Sequence, residues 1–80
     1  MKAIVHVSLK PGVLDPQGQA IAETLGRLGF SEVEGARVGK AIELDLDDGL
    51  SSEAAETRVR EMCERLLANT VIESYRIDLV

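Results

Sequence analysis

His6 and Cys63 are the only histidine and the only cysteine in the sequence. A thiolate–imidazole pair is the simplest nucleophilic machinery they could form. They stand far apart in the chain, and no Asp or Glu is placed at a recognisable spacing to orient the imidazole. Cys63 falls on the apolar stripe of a helical segment, which reads as a small buried thiol. His6 falls on a strand and reads as a sheet-face residue. One Cys and one His cannot complete a zinc site, and there is no CxxC or HExxH. The acidic stretch "ELDLDDG" (Glu43–Gly49) lacks the twelve-residue ligand spacing and terminal Glu of a calcium loop. Its carboxylates alternate with leucines, as on a solvated strand face. The glycines of "PGVLDPQG" (Pro11–Gly18) do not follow the GxGxxG or GxxxxGK[ST] pattern of a phosphate cradle. The sequence therefore predicts no catalytic residue, no bound cofactor and no metal site, and points to work done by contact.

Composition narrows the partners. The formal net charge is −5, and Lys and Arg are scattered rather than clustered. An acidic chain repels phosphate backbones, and Phe30 and Tyr75 are too few to stack bases, so nucleic acid is excluded as an expected partner. The N-terminal "MKAIVHVSLK" lacks the apolar run and cleavage site of a signal peptide, and no stretch approaches membrane-spanning length. A lone cysteine argues for no oxidising compartment. The expectation is a cytoplasmic protein with one domain over residues 1–80 and a thin core.

The elements follow from local patterns. "AIVHVSL" alternates, with Ala3, Val5, Val7 and Leu9 on one face, and Pro11–Gly12 ends the strand. Asp15 reads as an N-cap with Pro16 at the first helical position. Ile21, Leu25 and Leu28 make an apolar stripe, and Gly29 a left-handed stop. "SEVEGARVGKAIELDLDDG" (Ser31–Gly49) reads as a hairpin turning at Gly39–Lys40. In its second arm Ile42, Leu44 and Leu46 point one way and Glu43, Asp45 and Asp47 the other. A second helix starts at Ser51 or Ser52. Its stripe is Ala55, Val59, Met62, Cys63, Leu66 and Leu67, its polar side includes an Arg60–Glu64 pair, and Asn69 closes it. "VIESYRIDLV" is a last strand.

This order predicts an α+β fold, a ferredoxin-like β-α-β-β-α-β two-layer sandwich: an antiparallel sheet with both helices on one face. The open face then carries His6, Ser8, Glu43, Asp45, Arg76 and Asp78, with Ile4 among them.

Two resemblances attach to these residues. "KPGVL" after an alternating strand, then an apolar helix and "LG", is similar to the start of ACT-type regulatory domains, which bind amino acids near this turn. That match covers the first third of the chain and fades at "DPQG". The second covers nearly all of it. "LKPGVLDPQGQAI", "LGRLGFSEVEGARVGKAIEL" and "MCERLLANTVIESYRIDL" resemble the PurS family, small subunits of phosphoribosylformylglycinamidine synthase. The family pattern runs from Lys10 to Gly18, Leu25 to Gly29, Ala36 to Lys40 and Cys63 to Tyr75. Thr70 replaces the family's usual Pro.

The PurS resemblance implies a non-catalytic adapter that self-associates, as a homodimer or a dimer of dimers. It would join a glutaminase (PurQ) and an ATP-dependent synthetase (PurL) in purine biosynthesis and assist ammonia transfer between them. ATP, Mg and glutamine would be used by those partners and not by this chain. By motif membership, the implied partner-interface residues are Lys10, Gly12, Val13, Leu14, Asp15, Pro16, Gln17, Gly18, Arg37, Lys40 and Asn69. For Gly18, the motif suggests either that another backbone comes close or that the helix start is simply relaxed there. The ACT resemblance implies the alternative, an amino-acid-binding regulatory domain.

Overall fold

The computed structural model describes residues 1–80. The elements are β1 (Lys2–Leu9), α1 (Pro16–Arg27), β2 (Gly39–Asp45), α2 (Ser52–Met62), a π-helical turn (Cys63–Leu67) and β3 (Glu73–Leu79). The three strands form one antiparallel sheet in the order β2-β1-β3. The class is α+β, and strand alternation fixes the two faces. Inward rows are Leu44–Ala3–Leu79, Ile42–Val5–Ile77 and Lys40–Val7–Tyr75. Outward rows include Glu43–Ile4–Asp78 and Ala41–His6–Arg76, so the polar open face is as the alternation predicts.

The core sits between the inward face and α2. Ala3, Val5, Val7, Ala55, Val59, Cys63 and Ala68 are buried. Ala55, Val59 and Cys63 recur every four residues and form one stripe. The small residues of β1 let the helix approach closely, and each fully buried valine contributes roughly 2 kcal/mol. Ser51 caps α2, its hydroxyl accepting from the Ala54 amide at 3.1 Å.

The π-helical turn corrects the end of the expected stripe. The Ala68 amide reaches back to the Cys63 carbonyl, five residues away, at 3.0 Å. The wider turn shifts the helical phase. Leu66, expected inside, is 83% exposed, while Leu67 packs on the core. Arg60 pairs backwards with Glu56 at 3.0 Å and not with Glu64, the arrangement that suits the helix dipole better. Glu64 instead accepts from the Tyr75 hydroxyl at 2.7 Å.

The hairpin is also corrected. Ser31–Val38 forms no strand, and Gly39–Lys40 is not a turn but the start of β2. Gly39 has no positive φ. It is small because the β1 backbone passes close: a Cβ there would lie 2.7 Å from the Val7 carbonyl oxygen. With the first arm drawn off to the side, β2 is an edge strand.

Of the two helices expected on the inward face, α2 occupies it. Helix α1 is not packed on the sheet, and its one buried residue is Gly18. The result is elongated: 51 × 24 × 14 Å, with a radius of gyration of 16.1 Å against roughly 12 Å for a compact chain of this length.

Candidate interface site

The expected interface residues come from four separate stretches, and the sheet gathers most of them at one end. That end is where β1 finishes and β2 and β3 begin. Lys10 leaves β1 with its amide on the Ile72 carbonyl at 2.8 Å and its ammonium on the Thr70 carbonyl at 2.7 Å. The chain then turns sharply, the Val13 amide donating to the Lys10 carbonyl at 3.1 Å. Gly12 sits at φ +88° there, a conformation that favours glycine.

Asp15 is the pivot of the site. It caps α1 through Oδ1, which accepts from the Gly18 amide at 2.8 Å. Its Oδ2 accepts from the Val38 amide, also at 2.8 Å. One carboxylate thus ties the helix start to the chain just before β2. Those two backbone donors, Val38 first and then Gly18, hold its pKa below the usual 3.8, with help from the Arg37 charge and against the cost of burial. Pro16 follows as the first helical residue. A Cβ at Gly18 would overlap the Ala36 carbonyl oxygen. The close-approach explanation of this glycine is therefore the correct one.

Arg37 fastens the same junction from the other side, donating to the Leu9 and Lys10 carbonyls at 3.2 Å each. Asn69 closes the third corner. Its Oδ1 accepts from the Val71 amide at 3.2 Å, and its carbonyl accepts from Ile72 and Glu73 at 3.0 and 2.7 Å. Lys40 lies on β2 opposite Val7 and makes no ion pair. Gln17 and Leu14 are exposed, Leu14 by 73%. Val13 is half-buried. An open groove of about 520 Å³ runs beside Val13, Leu14, Gln19, Glu23 and Arg37.

This arrangement is built for shape. The Asp15 oxygens and the Arg37 guanidinium are engaged with backbone, and Lys10 with a carbonyl. His6 and Cys63 lie on opposite sides of the sheet. His6 Nε2 is 2.9 Å from Asp78 Oδ2 on the outer face. Cys63 is fully buried beneath α2's end, and desolvation, reinforced by Glu64, pushes its thiol pKa up. A thiol so placed is a poor nucleophile. No three of the His, Cys, Asp and Glu side chains are grouped so as to hold a metal ion. No helix is long and apolar enough to cross a membrane.

Besides the π-helical turn and the missing first arm, the features not foreseen from the sequence include the Tyr75–Glu64 and His6–Asp78 contacts, the Asp15–Val38 bond, the close approach at Gly39 and the bareness of α1. The last left no signal of its own: Ile21 and Leu28 belong to a stripe that reads as core, and Phe30 follows it. They are 40%, 67% and 49% exposed.

The family model described as PurS, phosphoribosylformylglycinamidine (FGAM) synthase, matches residues 2–80. The chain is 47% identical over 78 residues to phosphoribosylformylglycinamidine synthase subunit PurS of Bacillus subtilis, covering 98% of this chain and 90% of that protein. It is 47% identical over 76 residues to the subunit of the same name from Mycobacterium leprae, covering 95% and 91%. Among solved structures, B. subtilis PurS superposes with a TM-score of 0.85 at 48% identity, covering 96% of this chain and 94% of that one. A chain in the structure of PurLQS from Thermotoga maritima superposes with a TM-score of 0.85 at 32% identity, covering 99% and 95%.

Proposed function

Because this chain belongs to the PurS family, we propose that it is the non-catalytic adapter subunit of a phosphoribosylformylglycinamidine synthase. As a single PurS-like domain over residues 1–80, it self-associates and bridges a PurL synthetase and a PurQ glutaminase. The observation that carries the reading is the full-length likeness to a chain of PurLQS. The absence of a paired nucleophile and base in this fold suits a subunit that positions others. The chain itself takes up no ATP, Mg or glutamine; those belong to its partners. It works in the cytoplasm, where purine precursors are made.

The physical role is to keep two active sites in register. Ammonia in water at neutral pH is mostly protonated and no longer nucleophilic, so a path that excludes water protects it. The Lys10–Gly18 turn, with Arg37, Lys40 and Asn69, offers partners a surface whose shape is fixed in advance. The Asp15, Arg37 and Lys10 bonds hold it before any partner arrives, which lowers the cost of ordering on binding. The amino-acid-binding alternative is not favoured, because the polar side chains that would grip a ligand are turned onto backbone.

The test is reconstitution. PurL and PurQ from one organism, mixed with and without this chain, are assayed for glutamine-dependent synthesis. The chain is expected to restore activity and to co-elute with both proteins. Failure to do either defeats the proposal.

A further inference from the structure

We propose that the outward face of the sheet, at the end where β1 finishes, receives a carboxylate-bearing segment of one of the two larger subunits, with Arg37, Ser8 and Ser74 holding the carboxylate. This deepens the adapter reading and rests on it.

The outward rows are graded along the strands. At that end Gly39, Ser8 and Ser74 lie side by side, and Ala41, His6 and Arg76 form the next row. The short side chains leave the strand backbones bare, so a polypeptide segment can lie close against them. Beside Ser8 and Ser74 the surface drops into an open hollow of about 570 Å³, walled by Leu9, Pro11, Gly12 and Arg37. The carboxylates of this face stand toward the other end, Glu43 and Asp78 beside Ile4 and Asp45 opposite Lys2.

The hollow holds donors that the fold does not use. Arg37 reaches the Leu9 and Lys10 carbonyls through one guanidinium nitrogen, Nη2. Its Nη1 and Nε meet no acceptor within the chain. Ser8 and Ser74 are exposed, and their hydroxyls bond to no other residue. No acid of the chain answers them. Both Asp15 oxygens are taken by the Gly18 and Val38 amides. Asp78 lies 2.9 Å from His6 and 3.4 Å from Arg76, and Glu43 lies 3.7 Å from Lys2. A guanidinium edge with two free N–H groups is matched in shape and charge by a carboxylate.

The surroundings select the source of that carboxylate. An open hollow with one cation gives a free anion little, because an ion pair so exposed to water is weak. A carboxylate carried on a docked protein surface is delivered there by the rest of the contact. The hollow shares Gly12 and Arg37 with the turn already argued to meet partners. A second copy of the chain offers, on this same face, one carboxylate outside an ion pair, Asp45, so the acid comes from a different protein.

Ser74→Asp and Ser74→Asn test this, since the two new side chains share a shape and differ in charge. Each variant is titrated into PurL and PurQ, and the concentration that half-restores glutamine-dependent synthesis is read. An aspartate at this position engages Arg37 itself and repels the incoming acid. Ser74→Asp is therefore expected to raise that concentration at least about 10-fold more than Ser74→Asn, with the melting temperatures of the two variants alike. Equal losses would mean that the face is covered without a carboxylate, and no loss in either that it is not covered; both overturn the proposal. A change in the sedimentation of the Ser74→Asp chain by itself would make a second copy the occupant and overturn it too. If the wild-type chain restores no synthesis, the adapter reading fails and this proposal with it, an outcome told apart because it precedes any comparison of variants.

Discussion

The two helices make the instructive comparison. Both are amphipathic, both are capped by a short polar residue, and they differ by one residue in length. Helix α2 buries Ala55 and Val59, and its continuation buries Cys63, in the protein's core. Helix α1 buries only a glycine. Amphipathic pattern therefore tells which side of a helix seeks cover but not what supplies it. The helix with the better hold on its own sheet builds the subunit. The other is held at one end by polar bonds and is free to serve an assembly.

The sharpest way to break that contrast is to place a charge on each helix. Val59→Asp buries an unpaired carboxylate and is expected to unfold the chain, removing its whole stability of several kcal/mol. Circular dichroism on melting reads this directly. Leu28→Asp, on exposed α1, is expected to leave the chain's secondary structure in place and to act on assembly.

Gly18→Val comes next. The side chain collides with the Ala36 carbonyl, so the helix start must move, at a cost of roughly 1–3 kcal/mol. The damage is expected to be local: faster proteolysis within residues 31–38, with slow hydrogen exchange on β1 retained. Equal loss of protection on β1 would mean that the arm and the sheet are one cooperative unit.

Acid gives a reversible version. The folded Asp15 carboxyl titrates below its ordinary 3.8. Its contribution is therefore fully present above that value and is lost as pH falls through the lower folded value. The α1 base is expected to loosen below about pH 3.8, seen as loss of protection at the Gly18 and Val38 amides. Asp15→Asn is expected to lower Tm by a few degrees and to remove this acid step.

The smallest effect belongs to Tyr75→Phe. It deletes the hydroxyl bond to Glu64 at a solvent-facing edge, and about 0.5 kcal/mol or less of stability is expected to go. That bond, with burial and the Glu64 charge, raises the phenol's pKa above its ordinary 10.0. The pairing is thus present below pH 10 and fades as the phenol ionises at higher pH. Ultraviolet titration of the single tyrosine checks the direction.

The parts of the fold legible in the sequence were those set by neighbours. Strand alternation marked β1, the later arm and β3, and Asp15–Pro16 and Ser51 marked both helix starts. The misread hairpin shows the limit. Gly39 looked like a turn glycine because glycine serves both positive φ and close packing, and only the position of Val7 decides between them. Ser31–Val38 forms no strand, and the amide of its last residue is held by Asp15, 23 residues earlier, a partner no local pattern reveals. Leu66 was lost to a phase shift that leaves no mark in composition. At the site, the family motif named the residues that gather, but the bonds among them depend on distances no spacing rule contains.

The slender outline has a mechanical result. In a body 51 Å long and 14 Å thick, a tilt of a few degrees at one end sweeps the other through several ångströms. A subunit of this shape, gripped at its base by one protein and at its tip by another, is a lever. Small angular play between neighbours would be magnified at the far end, so accuracy must come from how firmly the root of the rod is clamped.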